Sequence, residues 1–189
     1  MTERATILAG FGGQGLLFAG QVLARAALAE GGEVFWIPSY GPEMRGGTAA
    51  CTVIVGDEPI GSPVADRLDA LIALNPPSLA KYEPLLAPGG LLVINDSLIE
   101  AEPARDDVEV VRVPCTAIAT AAGDERLTCI VALGALVARR PIVGPAAVGA
   151  ALRALLAGKR SAALESDLAA VEAGRRAAVG DVAQPVPGR

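Results

Sequence analysis

The sequence predicts an α/β fold of Rossmann-like type: a mostly parallel sheet flanked by helices, with a hairpin insertion and a group of C-terminal helices. Three observations carry this expectation. A glycine-rich turn, Gly10-Phe11-Gly12-Gly13-Gln14-Gly15, joins a short apolar run to a long helix-patterned one. Downstream, apolar runs of strand length alternate with helix-patterned stretches, the signature of parallel strands joined by right-handed crossovers. Hydrophobic residues make up 52% of the 189-residue chain and aromatics only 3%, so the core must be aliphatic, as in sheets buried on both faces.

In chain order, residues 6–9 form the first strand, and the helix-patterned run continues to Glu30. Gly10, Gly12 and Gly15 fit G-x-G-x-x-G, where the first glycine permits the tight turn, the second lets another group approach the backbone and the third lets helix pack on strand. Free N–H groups at the start of that helix favour an anion. Gly31-Gly32 ends the helix by supplying a left-handed residue. The second strand, 33–37, runs into Pro38-Ser39 and the loop Tyr40-Gly41-Pro42-Glu43-Met44-Arg45-Gly46-Gly47. Residues 48–55 read as the third strand. Gly56-Asp57 then turns into 58–63, which Pro59 and Pro63 confine to a sheet edge or loop, and a hairpin inserted here is expected.

The run 69–74 is apolar throughout, as in a central strand. Asn75-Pro76-Pro77-Ser78 starts a helix ending near Leu86, Pro88-Gly89-Gly90 turns the chain into strand 91–95, and 108–113 is a further strand. From Thr116 the chain is alanine-rich and helical. Residues 127–139 have almost no polar face, which places that helix in the core or against another chain. Helices at 145–156 and 162–178 are amphipathic. Residues 1–180 are expected to form a single α/β domain, and 181–189 a flexible tail.

The formal charge of −5 argues against a nucleic-acid backbone as partner. Lys159-Arg160 and Arg175-Arg176 are isolated pairs and read as solvated. No apolar run reaches the length of a membrane span, and the few residues before the first strand leave no room for a secretion signal; no membrane association and a cytoplasmic location are expected. The chain has no histidine, which excludes a histidine-based triad or a histidine-bearing zinc site within it. Cys51, Cys115 and Cys129 are too far apart for C-x-x-C chemistry and too few for a four-cysteine cluster, so they read as small buried apolar residues.

Candidate binding residues gather at the carboxyl ends of the strands, where open α/β sheets hold ligands. They are Gly12, Gly13, Gln14 and Gly15 in the first loop, Tyr40 and Arg45 in the second, Asn75 after the central strand and Asn95-Asp96-Ser97, Ser97 above all, after the next one. Each has a plainer use beside the functional one. Glycines permit close packing, Asn75 and Ser97 cap turns, Tyr40 covers the sheet edge, and Arg45 pairs with Glu43 or Glu58. Arg45 between tight turns also suits bidentate phosphate binding. The acid that holds a dinucleotide ribose at the end of the second strand is replaced by Ile37-Pro38-Ser39, which disfavours NAD and FAD. No side chain is assigned a catalytic role, and no metal site is expected.

The two clusters Gly10-Phe11-Gly12-Gly13-Gln14-Gly15 and Ser39-Tyr40-Gly41-Pro42-Glu43-Met44-Arg45-Gly46-Gly47 resemble the gamma subunit of 2-oxoacid:acceptor (ferredoxin) oxidoreductases. Gly61-Ser62-Pro63, Ala73-Leu74-Asn75, Pro88-Gly89-Gly90, Asn95-Asp96-Ser97-Leu98-Ile99 and Leu133-Gly134-Ala135 extend the resemblance over 6–174. It implies a complex with alpha and beta subunits, and a ferredoxin-like delta subunit where one is present, reducing ferredoxin. Thiamine diphosphate and the iron–sulfur clusters would belong to those partners. This chain would help accept the acyl group on coenzyme A at an edge shared with them, with 2-oxoglutarate or a branched-chain 2-oxoacid favoured over pyruvate. Ala50 and Cys129 stand where the family often has asparagine, so the contacts of those amides, worth about 1 kcal/mol net each, are not available here. Two other readings stay open: a free-standing Rossmann-type nucleotide-binding protein, and a structural subunit whose glycine loops serve only as an interface.

Overall fold

The computed structural model describes residues 3–40, 48–158 and 161–180. Its elements are β1 (Glu3–Phe11), α1 (Leu16–Ala29), β2 (Glu33–Tyr40), β3 (Thr48–Gly56), β4 (Leu68–Ala73), α2 (Pro76–Tyr82), β5 (Leu86–Asn95), β6 (Glu109–Val113), α3 (Cys115–Ala121), α4 (Thr128–Arg139), α5 (Pro145–Leu155) and α6 (Ser161–Gly180). The strands form one sheet in the order β2-β3-β1-β4-β5-β6. β1, β4, β5 and β6 are parallel, while β3 runs antiparallel to both β1 and β2.

The fold class is the expected one, but the hairpin lies one segment earlier than expected. It is β2–β3, joined by the seven positions 41–47. A parallel crossover needs a dozen or more residues, so a link this short obliges the chain to double back. The segment 58–63 makes no strand; the Gly61 N–H donates to Glu3 Oε1 at 3.4 Å instead. β5 also begins earlier than its apolar run, taking in Pro88-Gly89-Gly90 through a register shift between Leu68 and Ala70, with Gly89 at φ 72°.

Side chains alternate along the strands with period two. Leu8, Val53, Ile72 and Val93 face α1 and the C-terminal helices, while Ile7, Ile54, Leu71 and Leu92 face Leu79 of α2 and Ile99. α1 stops where the glycines predict, with Gly31 at φ 87° and the Gly32 N–H donating to the Ala27 carbonyl at 3.0 Å. Glu30 then reaches across to accept from the Gly144 N–H at 2.9 Å, capping α5, which has no side-chain cap of its own.

The helix α4 is buried continuously from Thr128 to Val137. Its cover is internal: it lies between the sheet and α6, and the two helices touch backbone to backbone. A Cβ on Gly134 would collide with the Val171 carbonyl oxygen, and one on Gly174 with the Val131 carbonyl oxygen. The apolarity of α4 is therefore satisfied within the chain and is no argument for another one.

Gly134→Ala and Gly174→Ala should each destabilise the chain by about 1–3 kcal/mol, because a rigid backbone leaves the new methyl no escape. Gly61→Ala, where a Cβ meets nothing within 4 Å, should stay within about 0.5 kcal/mol. Denaturant unfolding of the three variants checks the contrast; equal stability throughout would remove the glycine contact from the account.

Candidate functional site

The chain leaves β1 through α1 over one face of the sheet and leaves β4 through α2 over the other. Such a reversal opens a crevice outside the carboxyl ends of the two strands, where α/β sheets bind ligands. β1 and β4 are joined at this end by the Leu74 N–H donating to the Ala9 carbonyl at 2.8 Å.

Within the glycine-rich turn the roles differ from those the motif suggests. Gly10 is not left-handed; it is small because a Cβ would strike the Gln14 amide oxygen and lie 2.9 Å from Leu74 Cβ. The turn itself is made by Gly13 at φ 100° and Gly15 at φ 80°, a region that costs residues with a Cβ 1–2 kcal/mol. Gly15 packs on the start of α4 rather than on a strand, since the Arg126 carbonyl fills the place of its Cβ. Gln14 closes the turn, its Oε1 accepting from the Phe11 N–H at 2.7 Å, and its carbonyl accepts from the Cys129 N–H at 3.0 Å. Gly12 alone of the three motif glycines has nothing within 4 Å of a built Cβ, and it and Gly13 are exposed.

α1 begins immediately after this turn, with Gly15 as its N-cap, no side-chain cap and no acid in its first turn. Register places the second loop beside it: Thr48 pairs with Phe11, and Ala49 pairs with both Gly10 and Tyr40. β2 therefore ends, and β3 begins, at the sheet edge that carries the glycine turn. Arg45 itself and the side chain of Tyr40 lie outside the described residues.

Asn75 and Ser97 reach the same edge but serve the chain first. Asn75 is fully buried and caps α2, Oδ1 accepting from the Ser78 N–H at 2.8 Å; its Nδ2 has no hydrogen-bond partner among the described residues. Because α2 packs on the face opposite α1, Asn75 and the glycine turn share an edge and not a face. Ser97 Oγ accepts from the Ala117 N–H of α3 at 3.1 Å.

Two residues organise this edge, Asn95 from the expected segment 95–97 and Arg126 from outside the expected set. Asn95, fully buried, donates from Nδ2 to the Leu74 carbonyl at 3.1 Å and to Thr116 Oγ1 at 2.9 Å, and accepts from the Thr116 N–H at 3.2 Å. It ties the end of β5 to the residue after β4 and to the first turn of α3. Arg126 lies beside the glycine turn through its carbonyl; its guanidinium grips Asp124 from Nε at 2.8 Å and from Nη2 at 2.7 Å, holding that carboxyl below the usual carboxylate range. The turn sequence Gly123-Asp124 was the available signal for Arg126; Asn95 was expected at this edge, and the structure supplies its partners. Together the described groups can hold an anion through backbone N–H donors.

The three thiols are buried. Burial pushes Cys51 up from 9.0 to about 12, offset in part by the Trp36 indole, and raises Cys115 and Cys129 as well. Cys129 lies at the start of α4, and Ala50 in β3 between Ser39 and Ala9.

The profile of the family described as "Pyruvate ferredoxin/flavodoxin oxidoreductase" matches residues 5–177. The chain is 42% identical over 131 residues to ketoisovalerate oxidoreductase subunit VorA of Methanothermobacter thermautotrophicus, a match covering 69% of this chain and 27% of that protein. It is 36% identical over 176 residues to 2-oxoglutarate synthase subunit KorC of the same organism, covering 89% and 91%. The structure of a keto/oxoacid ferredoxin oxidoreductase gamma subunit from Geobacter sulfurreducens is similar with a TM-score of 0.83 at 30% identity, over 95% of this chain and 98% of that one. A 2-oxoglutarate:ferredoxin oxidoreductase from Magnetococcus marinus, solved with 2-oxoglutarate, coenzyme A and succinyl-CoA bound, shares the fold at TM-score 0.86 and 23% identity; the match covers all of this chain and 33% of that one.

Gly15→Ala should cost about 2 kcal/mol or more, combining a left-handed φ with a carbonyl clash, while Gly12→Ala should stay within about 0.5 kcal/mol; chemical denaturation separates them. The thiols give a pH dependence of known sign. Their folded pKa values lie above the unfolded ones, so the stability they contribute is intact below pH 9 and is lost as pH rises through the window up to about 12. Denaturation midpoints across that window should fall, and native thiols should react with an alkylating agent at pH 8 only as fast as the chain unfolds.

Proposed function

The chain belongs to the pyruvate ferredoxin/flavodoxin oxidoreductase family, and from that premise we propose that it is the gamma subunit of a cytoplasmic 2-oxoacid:ferredoxin oxidoreductase complex. The reaction is 2-oxoacid plus coenzyme A plus oxidised ferredoxin giving acyl-CoA, carbon dioxide and reduced ferredoxin. Thiamine diphosphate and the iron–sulfur clusters reside in the alpha and beta chains, with a delta chain where one is present; three buried thiols do not make the four-thiolate set of a cluster. This chain contributes one α/β domain over 1–180 to subunit assembly and to coenzyme A handling. The two relatives described above are named for ketoisovalerate and for 2-oxoglutarate, which supports a branched-chain 2-oxoacid or 2-oxoglutarate as substrate over pyruvate.

The observation that carries the coenzyme A role is the uncapped first turn of α1, without an acid of its own, placed at the carboxyl ends of the strands beside the loop that bears Arg45. Backbone N–H groups at a helix start bind phosphate oxygens. Gly12, with open space where a side chain would stand, lets the ligand approach, and Arg45 supplies the two-pronged cation. Gln14, Asn75 and Ser97 act beneath this surface: they hold the turn and two helix starts in register.

Arg45→Ala in the intact complex should raise the apparent KM for coenzyme A roughly ten- to a hundredfold, the loss of a charge-assisted contact of about 1.5–3 kcal/mol. Arg45→Lys should recover only part of it, because lysine keeps the charge without the fork. Oxoacid-dependent reduction of the partner subunits' iron–sulfur clusters in the absence of coenzyme A should be nearly unchanged. Equal losses in both assays would show Arg45 holding the structure and not the ligand.

A further inference from the structure

The two ends of the sheet are treated differently. β6 is guarded by ion pairs: Glu109 with Arg139 at 2.6 Å, and Arg112 with Asp96 at 2.9 Å and Glu102 at 3.2 Å. Charged side chains of this kind are how edge strands resist further pairing. β2, at the other end, pairs only with β3. After Glu33 it reads Val34-Phe35-Trp36-Ile37, an unbroken apolar run of the sort carried by strands covered on both faces. Neither face is fully covered. Phe35 is 39% exposed and Ile37 half-buried on one side, and Val34 and Trp36 are half-buried on the other.

α1 shields that second side incompletely. A groove of about 230 Å³ runs between Gln21, Ala24 and Arg25 of the helix and Trp36 of the strand. Leu28, on the same helical stripe as Gln21 and Arg25, is 57% exposed. Arg25 is exposed, and no ion pair or hydrogen bond engages it among the described residues.

We infer that β2 is the docking edge for an extended segment of a partner subunit, an inference that rests on the reading of this chain as one subunit of a complex. The segment adds a strand along 33–37, lays apolar side chains over Phe35 and Ile37, and brings a carboxylate to Arg25 at the groove. Main-chain pairing supplies affinity and the alternate side chains supply specificity, as in strand addition generally. Pro38 ends the ladder because it has no N–H to give. Local charge selects the occupant: the unpaired Arg25 cation calls for a carboxylate on the partner segment, and a second copy would bring another Arg25 to the same edge. The matched region is also only 27% of the VorA relative, so in that protein it is joined to a much longer chain.

Hydrogen–deuterium exchange on the free chain and on the native complex, isolated with its co-purifying subunits, tests this. The outward-facing amides of 33–37 should slow at least about tenfold in the complex, while those of 109–113 stay as they are. Arg25→Glu should weaken retention of the partner subunits about tenfold or more without moving the melting temperature of the free chain, and Arg25→Lys should keep them. Unchanged exchange at 33–37 in an intact complex overturns the inference and leaves the subunit reading standing. Protection of the same amides by self-association of the free chain makes a second copy the occupant and overturns it equally. If no other chain co-purifies, the subunit reading falls and the inference with it.

Discussion

The backbone contact between α4 and α6, possible only because Gly134 and Gly174 lack side chains, is the constraint on which the rest of the structure depends. It seats α4 against the sheet, and fully burying side chains such as Ile130, Leu133 and Leu136 there is worth roughly 1.5–3 kcal/mol each. The start of α4 is thereby fixed as well. Its Cys129 N–H meets the Gln14 carbonyl at 3.0 Å, and the Arg126 carbonyl just before it fills the space beside Gly15. The glycine-rich turn thus rests on a helix more than a hundred residues away.

That support explains why the turn can present its backbone outward. Gln14 is drawn back on Phe11, Gly13 and Gly15 take the left-handed angles, and Gly12 remains the uncrowded position at the rim. A similar economy holds across the edge, where one buried amide, Asn95 at the end of β5, joins the residue after β4 and the start of α3. Rigid framing of this kind lets a helix start meet an anion without a flexible loop being ordered at the same time.

The position of β2 separates this sheet from the dinucleotide-binding arrangement. There the second strand lies next to the first, and an acid at its end reaches the ribose. Here β3 intervenes, so the end of β2 is one strand farther away, whatever residue it carries. The missing acid and the altered strand order agree. The same displacement turns an apolar strand into an edge, which links the topology of the hairpin to the surface available for assembly.

The sequence alone determined the strand–turn–helix at Gly10 to Gly15, the glycine stop after α1, the central strand at 69–74 and the capping of α2 by Asn75. In each, the physics is local: φ preferences, a side chain within three residues of its partner, or a continuous apolar run. It also carried the resemblance through two glycine clusters. Tertiary structure decided what local rules cannot reach. The apolar helix at 127–139 was equally suited to the core or to a neighbour until α6 was seen to cover it, and the extended segment 58–63 looked like hairpin material although 33–40 was the strand that pairs. Gly15 reads as a helix-on-strand residue until the Arg126 carbonyl is found beside it, and the bonds that Asn95 makes to Leu74 and Thr116 join segments distant in sequence. Contacts between distant segments depend on the path of the whole chain, and periodicity over ten or twenty residues does not encode that path.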